Sequence, residues 1–304
     1  MKLILRQDKK LTANQEMRVL KMRKHIIVSG YATIDYVLNL KAPFDGSNIA
    51  HVHPVSANTW ERPGGATLYT SVQLAKFDVD AYPLVWLGKD AKGQAYLNTC
   101  EKHGLLTGAI DIQDSRATPS CFLLYHEDGS QGCLIDNGEN GHETKLVQTQ
   151  IDLTRKADMV CITAGPPTQT DTLLEYIPED AVVAWIAKQD DACFPKKLRE
   201  KIARRANYIF CNSSERNYVD DSLHNDRRSD LVIVETRGPD GVLIETPNDA
   251  KVIEVTRVDS DDTTGAGDTF AGATLGALIT GESNIEDAVT NGVVAAQLLL
   301  ESRL

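Results

Sequence analysis

The segment from Asp262 to Asp268 (DTTGAGD) combines glycines with acidic residues at a predicted strand-to-helix turn. It follows an apolar run at 252–258, predicted to be a strand, and leads into small residues at 267–280, predicted to be a helix. Glycines let the backbone approach a ligand closely, and the free N–H groups and dipole of a first helical turn form an anion site. We therefore predict that Gly265, Ala266 and Gly267 hold a transferring phosphoryl group.

Asp268 is the unexpected member of this turn. A carboxylate beside an anion site repels a phosphate, so it should be avoided there unless it has a task. The available task is to accept the proton of an attacking hydroxyl. The local pattern leaves a second interpretation open, in which Asp268 only caps the helix and favours its dipole.

The DTTGAGD segment resembles the C-terminal signature of the ribokinase/PfkB family of sugar kinases. Between about residue 25 and residue 300, further segments occur in the family's order: GYATID at 30–35, PGGA at 63–66, LGKDAKG at 87–93, NSSE at 212–215 and TRGPDG at 236–241. Taken singly, each has an ordinary explanation as a turn, a helix cap or a capping box. As a set, their resemblance to the family implies an ATP-dependent carbohydrate kinase.

The resemblance implies an acceptor site at Asp35, Gly64, Gly65 and Asp268. In the family, the aspartate of the opening segment binds sugar hydroxyls, and the glycine pair lays its backbone against the substrate. A carboxylate suits this role because its two oxygens can accept hydrogen bonds from two neighbouring hydroxyls. The predicted acceptor is a hydroxyl of a sugar or related polyol, with Asp268 as the general base.

The same resemblance implies an ATP site and a magnesium ion. In the family, the glutamate of the NSSE-like segment acts on Mg²⁺, often through water, so Glu215 is predicted to do so here. One carboxylate is sufficient because Mg²⁺ keeps several of its waters. The residues implied to bind ATP are Asn212, Thr236, Gly238, Gly241, Gly265, Gly267 and Asn291.

Several positions depart from the ribose-specific members. Thr33 and Tyr69 stand where those members have asparagines, and Gly165 or Pro166 stands roughly where they have an acidic sugar contact. A site that lacks a partner for a substrate hydroxyl discriminates strongly against that substrate. Ribose is therefore disfavoured as the acceptor.

Other acceptors and another class of protein stay open. The acceptor can be an inositol or a nucleoside, and Tyr36, Phe44 and Trp60 are aromatic residues available for a base pocket. A catalytically silent sugar- or nucleotide-binding protein on the same fold is the alternative from another class. The presence of both Asp268 and Glu215 argues against it, because a pure binder has no need of a base beside a phosphate site.

The resemblance also leaves dependence on a monovalent cation open. Family members that such an ion activates usually continue into a loop that helps to hold it, whereas this sequence reaches Leu304 soon after its last predicted helix. Asp262 can still supply one oxygen to an ion.

The apolar runs in the sequence predict the strands and helices that position the candidate site residues. Predicted strands at 25–30, 82–87, 159–163, 181–186, 208–211 and 231–235 are mostly separated by helical patterns. This alternation predicts an α/β fold with a mainly parallel sheet and helices on both faces. A hairpin at 120–126 and 131–136 predicts, with a loop-rich stretch, a small β lid from segments near 38–62 and 109–137. The resemblance implies a ribokinase-like kinase domain over 25–304, preceded by an extension at 1–24 that need not be ordered.

Composition and charge limit the classes of molecule that the protein is expected to bind. The formal net charge of −11 argues against nucleic acid. No apolar stretch approaches the ~20 residues of a membrane span, and no signal-peptide pattern is present. The six cysteines form no C-x-x-C pair, which favours reduced, buried thiols in a cytoplasmic protein. A homodimer is an expectation from the resemblance alone.

Overall fold

The computed structural model describes residues 23–47, 49–54, 61–127, 131–139, 145–223, 228–258, 260, 262–281 and 283–303. The predicted extension at 1–24 lies outside these ranges except for its last two residues. Lys24 is the first residue of the first strand, so this strand begins one residue before the predicted domain boundary.

Thirteen strands and eight α-helices lie within these ranges. The strands are β1 (Lys24–Ser29), β2 (Thr33–Asn39), β3 (Glu61–Gly64), β4 (Val79–Gly88), β5 (Ile110–Gln113), β6 (Ser120–Tyr125), β7 (Gln131–Asp136), β8 (Met159–Ile162), β9 (Val182–Ile186), β10 (Tyr208–Asn212), β11 (Val232–Thr236), β12 (Val242–Glu245) and β13 (Ala250–Ile253). The helices are α1 (Ala66–Leu74), α2 (Ala91–Lys102), α3 (Gln148–Thr154), α4 (Pro167–Leu174), α5 (Lys196–Arg205), α6 (Arg216–Leu223), α7 (Ala266–Ile279) and α8 (Ile285–Glu301).

Nine strands form the central sheet, in the order β13-β12-β11-β10-β9-β8-β1-β4-β5. Neighbours from β11 to β5 pair in parallel, whereas β12 and β13 at one edge are antiparallel. In β1, Ile27 packs into one apolar layer, and Ile26 and Val28 pack into the other. Both faces of such a sheet need a helical cover. Helices α3 to α6 cover one face, and α1, α2, α7 and α8 cover the other.

A second sheet, which we call the lid, has the order β3-β2-β6-β7. The chain passes almost directly from the central sheet to the lid, because β2 begins at Thr33 soon after β1 ends at Ser29. Strands β6 and β7 form the predicted antiparallel hairpin. The predicted fold class, a mainly parallel sheet with helices on both faces and a small second β-sheet, is confirmed.

The elements differ from the sequence predictions in three places. Ile110–Gln113, inside the predicted lid segment at 109–137, pairs with β4 in the central sheet. The lid segment predicted from residue 38 already begins with β2 at Thr33. The strand predicted at 252–258 is Ala250–Ile253, and residues 254–258 are irregular. Apolar alternation marks a strand but not its partner, so the sheet that a short strand joins cannot be read from its own residues.

None of the helices in the described ranges has the length and apolar composition to span a bilayer.

Candidate active site

A cavity of about 1010 Å³ lies between the lid and the carboxyl ends of the central parallel strands. Such ends are where ligands bind in open α/β sheets. The cavity brings together most of the sequence-predicted site residues: Asp35, Gly65, Asn212, Thr236, Gly238, Gly241, Gly265, Ala266, Gly267 and Asp268. Gly64, Glu215 and Asn291 are not among the described residues that line it.

The glycine turn opens α7 as predicted. Gly265 is the N-cap residue with φ 73°, in the left-handed region that favours glycine. A Cβ at this position would lie 2.6 Å from the ring of Tyr69, so the turn is also sterically closed to larger residues. Among the described residues, the amides of Gly265, Gly267 and Asp268 have no hydrogen-bond acceptor. These free donors lie at the start of a fourteen-residue helix, an arrangement that favours binding of an anion.

The Asp268 carboxylate lines the same cavity and is half-buried. It makes no hydrogen bond or ion pair with any residue that the structure describes. Burial raises the pKa of its carboxyl, Lys188 lowers it, and the neighbouring carboxylates of Glu215 and Asp35 raise it further. An unpaired carboxylate with a raised pKa is suited to accept a proton.

Lys188 is a site residue that the sequence analysis missed. It follows β9, lines the cavity, and places its Nζ 3.3 Å from Oε1 of Glu215. Burial alone would lower the pKa of its ammonium group, but Glu215 and Asp268 raise it overall. Its side chain is 52% exposed because it projects into the open cavity. The sequence feature that could have identified Lys188 is its position just after a buried parallel strand.

Asn212 and Glu215 form a capping box just ahead of α6. The amide of Glu215 donates to Oδ1 of Asn212 at 3.0 Å, and the amide of Asn212 donates to Oε2 of Glu215 at 2.9 Å. This is the ordinary structural explanation of the NSSE segment. It does not exclude a role at magnesium, because a carboxylate has about four lone-pair sites. With both oxygens already partnered, Glu215 fits a hydrated Mg²⁺ held through water and not by direct coordination.

Asp35 lies on the lid strand β2 and is 3% exposed. Oγ1 of Thr33 donates to its Oδ1 at 2.6 Å, and the amide of Gly65 lies 3.4 Å from its Oδ2. Burial raises the pKa of its carboxyl, although these two hydrogen bonds and Arg62 oppose the change. A Cβ on Gly64 would lie 1.9 Å from Oδ2 of Asp35, so Gly64 makes room for this carboxylate without lining the cavity itself.

The TRGPDG segment joins β11 to β12 and borders the cavity with Thr236, Gly238 and Gly241. Gly238 and Gly241 have φ values of 56° and 93°. A Cβ on Gly241 would lie 2.4 Å from the carbonyl oxygen of Ile253, so only glycine fits this turn. The segment is therefore both the hairpin connection and a wall of the cavity.

The ATP-binding role predicted for Asn291 stays a prediction, and the structure places this residue away from the cavity lining. Asn291 is exposed on α8, whereas Val293, Ala296, Gln297 and Leu300 of the same helix line the cavity. These four share one face because residues three and four apart in a helix are neighbours. Asn291 precedes that face by two residues, which in a helix corresponds to nearly the opposite side.

The lid contacts the glycine turn directly. The hydroxyl of Tyr125 in β6 lies 2.7 Å from Oγ1 of Thr264, and Nε2 of Gln131 in β7 donates to Oγ1 of Thr263 at 3.2 Å. Both contacts connect the lid hairpin to the residues just before Gly265. The lid is therefore closed onto the turn in this structure.

Comparison with known proteins identifies the family of this chain. Residues 23–304 match the model of the pfkB family carbohydrate kinases, and the chain belongs to that family. It is thus an ATP-dependent carbohydrate kinase, as the segment resemblance predicted.

Two curated relatives show how distant the similarity is. The ATP-dependent ribose-1-phosphate kinase of Halopiger xanaduensis is 26% identical over 231 residues, which cover 74% of this chain and 76% of the relative. The ribokinase of Haemophilus influenzae is 21% identical over 294 residues, covering 91% and 92%.

Solved structures share the fold. The nucleoside kinase of Methanocaldococcus jannaschii superimposes with a TM-score of 0.75 at 20% identity, covering 92% of each chain. The ribokinase of Cryptococcus neoformans in complex with ADP has a TM-score of 0.73 at 18% identity, covering 91% of this chain and 94% of its own.

Proposed function

We propose that this kinase transfers the γ-phosphoryl group of ATP to a hydroxyl of a sugar or related polyol, with Asp268 as the general base. The observation that carries the proposal is the unpaired Asp268 carboxylate, which faces the same cavity as the free amides of Gly265 and Gly267. A carboxylate placed beside free amide donors is unfavourable for simple anion binding. It is useful when a hydroxyl must lose its proton as it attacks a phosphoryl group.

The proposed reaction follows from this arrangement. Asp35 accepts hydrogen bonds from acceptor hydroxyls and turns one of them towards Asp268. The oxygen of that hydroxyl bonds to the γ-phosphorus, the bond from this phosphorus to the β,γ-bridging oxygen breaks, and the hydroxyl proton passes to Asp268. The amides of Gly265 and Gly267 donate to the phosphoryl oxygens as charge develops, and ADP leaves.

The nucleotide is proposed to lie along Asn212, Thr236, Gly238 and Gly241, which border the cavity on the β10–β12 side. Glu215 is proposed to hold the water of a Mg²⁺ ion, which would neutralise the phosphate charge when bound. Lys188 adds positive charge on this side, because its ammonium group pairs with Glu215 and interacts electrostatically with Asp268.

The acceptor is proposed to be other than ribose. The Thr33 hydroxyl already donates to Asp35, and the Tyr69 ring packs against Gly265, so neither replaces an asparagine amide in the pocket. Two relatives nevertheless carry ribose-based names, so ribose and ribose 1-phosphate belong among the compounds tested.

A nucleoside or an inositol remains the alternative acceptor. Of the aromatic residues predicted for a base pocket, Trp60 lies outside the described residues, and Tyr36 and Phe44 are not among the cavity lining. Tyr31 and Tyr125 line the cavity instead. They offer an aromatic surface that a nucleobase can use.

The test is ADP release from ATP with a panel of acceptors: pentoses, hexoses, ribose 1-phosphate, inositols and nucleosides. We expect one class to stimulate ADP release in the wild type and none to do so in Asp268→Asn. Binding without stimulated ADP release by any acceptor would favour a catalytically silent binder. Equal turnover in Asp268→Asn would remove Asp268 from the mechanism.

A cytoplasmic location and a homodimer stay predictions. Leu134 of the lid edge strand β7 is an exposed apolar residue outside the cavity lining, which would suit contact with a second copy. The mass of the full chain in solution measures the oligomeric state directly.

A further inference from the structure

The glycine turn is held from outside the cavity by two arginines that meet on Asp262. Nη2 of Arg62 lies 2.7 Å from Oδ2 of Asp262, and Nη1 of Arg303 lies 3.3 Å from Oδ1. The amide of Thr264 also donates to Oδ1, at 3.0 Å. Burial opposes ionisation, but the Thr264 hydrogen bond and the two arginines lower the pKa of the Asp262 carboxyl. Asp262 is thus an ionised carboxylate that fixes the residues following it; we call Asp262 and its two arginines the brace.

Arg303 does more than pair with this carboxylate. Its Nη1 donates to the main-chain carbonyl of Thr264 at 2.5 Å and to that of Asp262 at 3.0 Å. One nitrogen therefore faces three oxygens, two from the backbone and one from a carboxylate. The Arg303 side chain is 11% exposed, so water competes little for these contacts.

The contact with Thr264 determines where the next amide points. A trans peptide unit is planar, so its C=O and N–H groups point in opposite directions. The Thr264 carbonyl points at Arg303, and the Gly265 amide in the same peptide unit must then point away from Arg303. Among the described residues this amide has no acceptor, and Gly265 lines the cavity. Arg303 therefore orients a donor of the anion site.

The three oxygens around Nη1 of Arg303 also bear on whether the kinase depends on a monovalent cation, a question that the sequence left open. Main-chain carbonyl and carboxylate oxygens are the ligands that hard cations prefer. Here a guanidinium nitrogen occupies the point on which they converge, so a bound alkali ion does not fit beside it. Arginine stays charged at all relevant pH values and has only donors to offer, which suits a permanent occupant.

We propose that Arg303 is a built-in cation, a positioning residue that replaces a monovalent ion behind the glycine turn and frees the kinase from dependence on such an ion. This inference rests on the proposed role of the Gly265–Gly267 turn in phosphoryl transfer. Arg62 contributes to the same brace through the side chain of Asp262.

The first test compares rates in potassium chloride with rates in tetramethylammonium chloride at equal ionic strength. We expect the wild type to be indifferent to the cation. Arg303→Ala should lose roughly 10- to 100-fold in kcat in tetramethylammonium, because the anion donors lose their orientation. Potassium should restore much of that loss, while the KM for the acceptor changes little. Arg303→Lys should retain more activity than Arg303→Ala, because it keeps a tethered charge.

A second readout needs no turnover. The unfolding temperature of Arg303→Ala should be lower than that of the wild type and should rise in potassium but not in tetramethylammonium. Arg205→Ala is the matched control, since Arg205 also donates to a main-chain carbonyl, that of Pro178, but lies away from the cavity. It should show no potassium-specific rise in unfolding temperature and no change in kcat.

The outcomes separate this inference from the proposed function. A potassium requirement in the wild type would overturn the inference, as would an Arg303→Ala variant that potassium neither stabilises nor reactivates. A potassium-specific stabilisation of Arg303→Ala in a protein that phosphorylates no acceptor would support the inference and refute the proposed function. If Arg303→Ala does not fold, the cation dependence of the wild type and of Arg303→Lys decides the question.

Discussion

Burial, one ammonium group and two other carboxylates shift the pKa of the Asp268 carboxyl. Burial raises the pKa of its carboxyl, Lys188 lowers it, and Glu215 and Asp35 raise it again. A general base acts only when it is deprotonated, so the rate falls as the pH drops through this pKa. The acid limb of the pH–rate profile should therefore lie above the ordinary range of an aspartate.

Lys188→Met should move that acid limb to higher pH, because it removes an ammonium group that lowers the pKa of Asp268. The measurement is kcat/KM against pH for the wild type, Lys188→Met and Lys188→Arg. The arginine variant keeps the charge and should keep the limb near its wild-type position. A limb that stays in place or moves to lower pH in Lys188→Met contradicts this account of the site.

Gly265→Ala should lower kcat on the order of 10²- to 10³-fold, as expected when an anion donor is displaced. The added Cβ meets the Tyr69 ring at 2.6 Å, and the residue must also keep a φ of 73°. Gly104→Ala is the control, because Gly104 has a φ of 70° and open space around its Cβ position. It should cost about 1–2 kcal/mol of stability from backbone strain alone and leave kcat unchanged. Equal kcat values for the two variants would show that the turn tolerates a side chain.

The sequence points most directly to site residues whose neighbours in sequence are also their neighbours in space. The glycine turn and Asp268 form one strand-to-helix connection, so local pattern and segment resemblance both point to them. Lys188 and Arg303 act through partners far away in sequence, and a lone basic residue after a strand or helix has many ordinary explanations. Asn291 lies away from the cavity lining for a related reason, since nothing in its own segment showed which face of α8 meets the cavity.

At the scale of elements, the lid closes the cavity through its hairpin. Tyr125 and Gln131 contact the two threonines that precede Gly265, so the position of the lid and the shape of the turn are coupled. Lids of this kind exclude water and limit unproductive hydrolysis of the donor.

Tyr125→Phe should increase acceptor-independent ATP hydrolysis, relative to phosphoryl transfer, by roughly 2- to 10-fold, the effect of losing one hydrogen bond of ordinary strength. The measurement is the ratio of free phosphate to phosphorylated product. Tyr36→Phe is the control, since its hydroxyl donates to Glu61 within the lid. If the ratio is unchanged in Tyr125→Phe, or raised equally in both variants, the contact between Tyr125 and Thr264 does not contribute to closure of the lid.

The elements themselves were largely predictable. Apolar runs alternating with helical patterns identified the central sheet, because parallel strands buried on both faces are nearly continuous apolar segments. The lid was harder to delimit. Ile110–Gln113 looks like part of the hairpin region but extends the central sheet, and the partner of such a short strand depends on tertiary packing.

At the scale of the whole molecule, an already acidic chain places the carboxylates of Asp35 and Asp268 in the cavity between its two sheets. Asp35 and Asp268 both have a raised pKa, and burial is the first cause in each case. An aspartate whose pKa is higher in the folded than in the unfolded chain stabilises the fold at low pH, and this contribution is lost as the pH rises through the folded pKa. At neutral pH the ionised carboxylates of Asp35 and Asp268 therefore lower the free energy of unfolding.

Asp268→Asn should accordingly raise the unfolding temperature at neutral pH, by about 2–4 °C if the relief is near 1 kcal/mol. The difference should shrink as the pH falls through the raised pKa of Asp268. The measurement is thermal unfolding across that pH range, with the exposed Asp180→Asn as the control. A lower unfolding temperature for Asp268→Asn at neutral pH would show that Lys188 more than offsets the burial of this charge.

The central claim is that Asp268 takes the proton of the acceptor hydroxyl, and the most direct measurement is kcat of Asp268→Asn with the best acceptor. The substitution keeps the shape of the side chain and removes its ability to take a proton. We predict a fall in kcat of about 10²- to 10⁴-fold, the usual contribution of a general base, with ATP bound at least as tightly as in the wild type. A kcat within about threefold of the wild type, far below that contribution, would contradict the account.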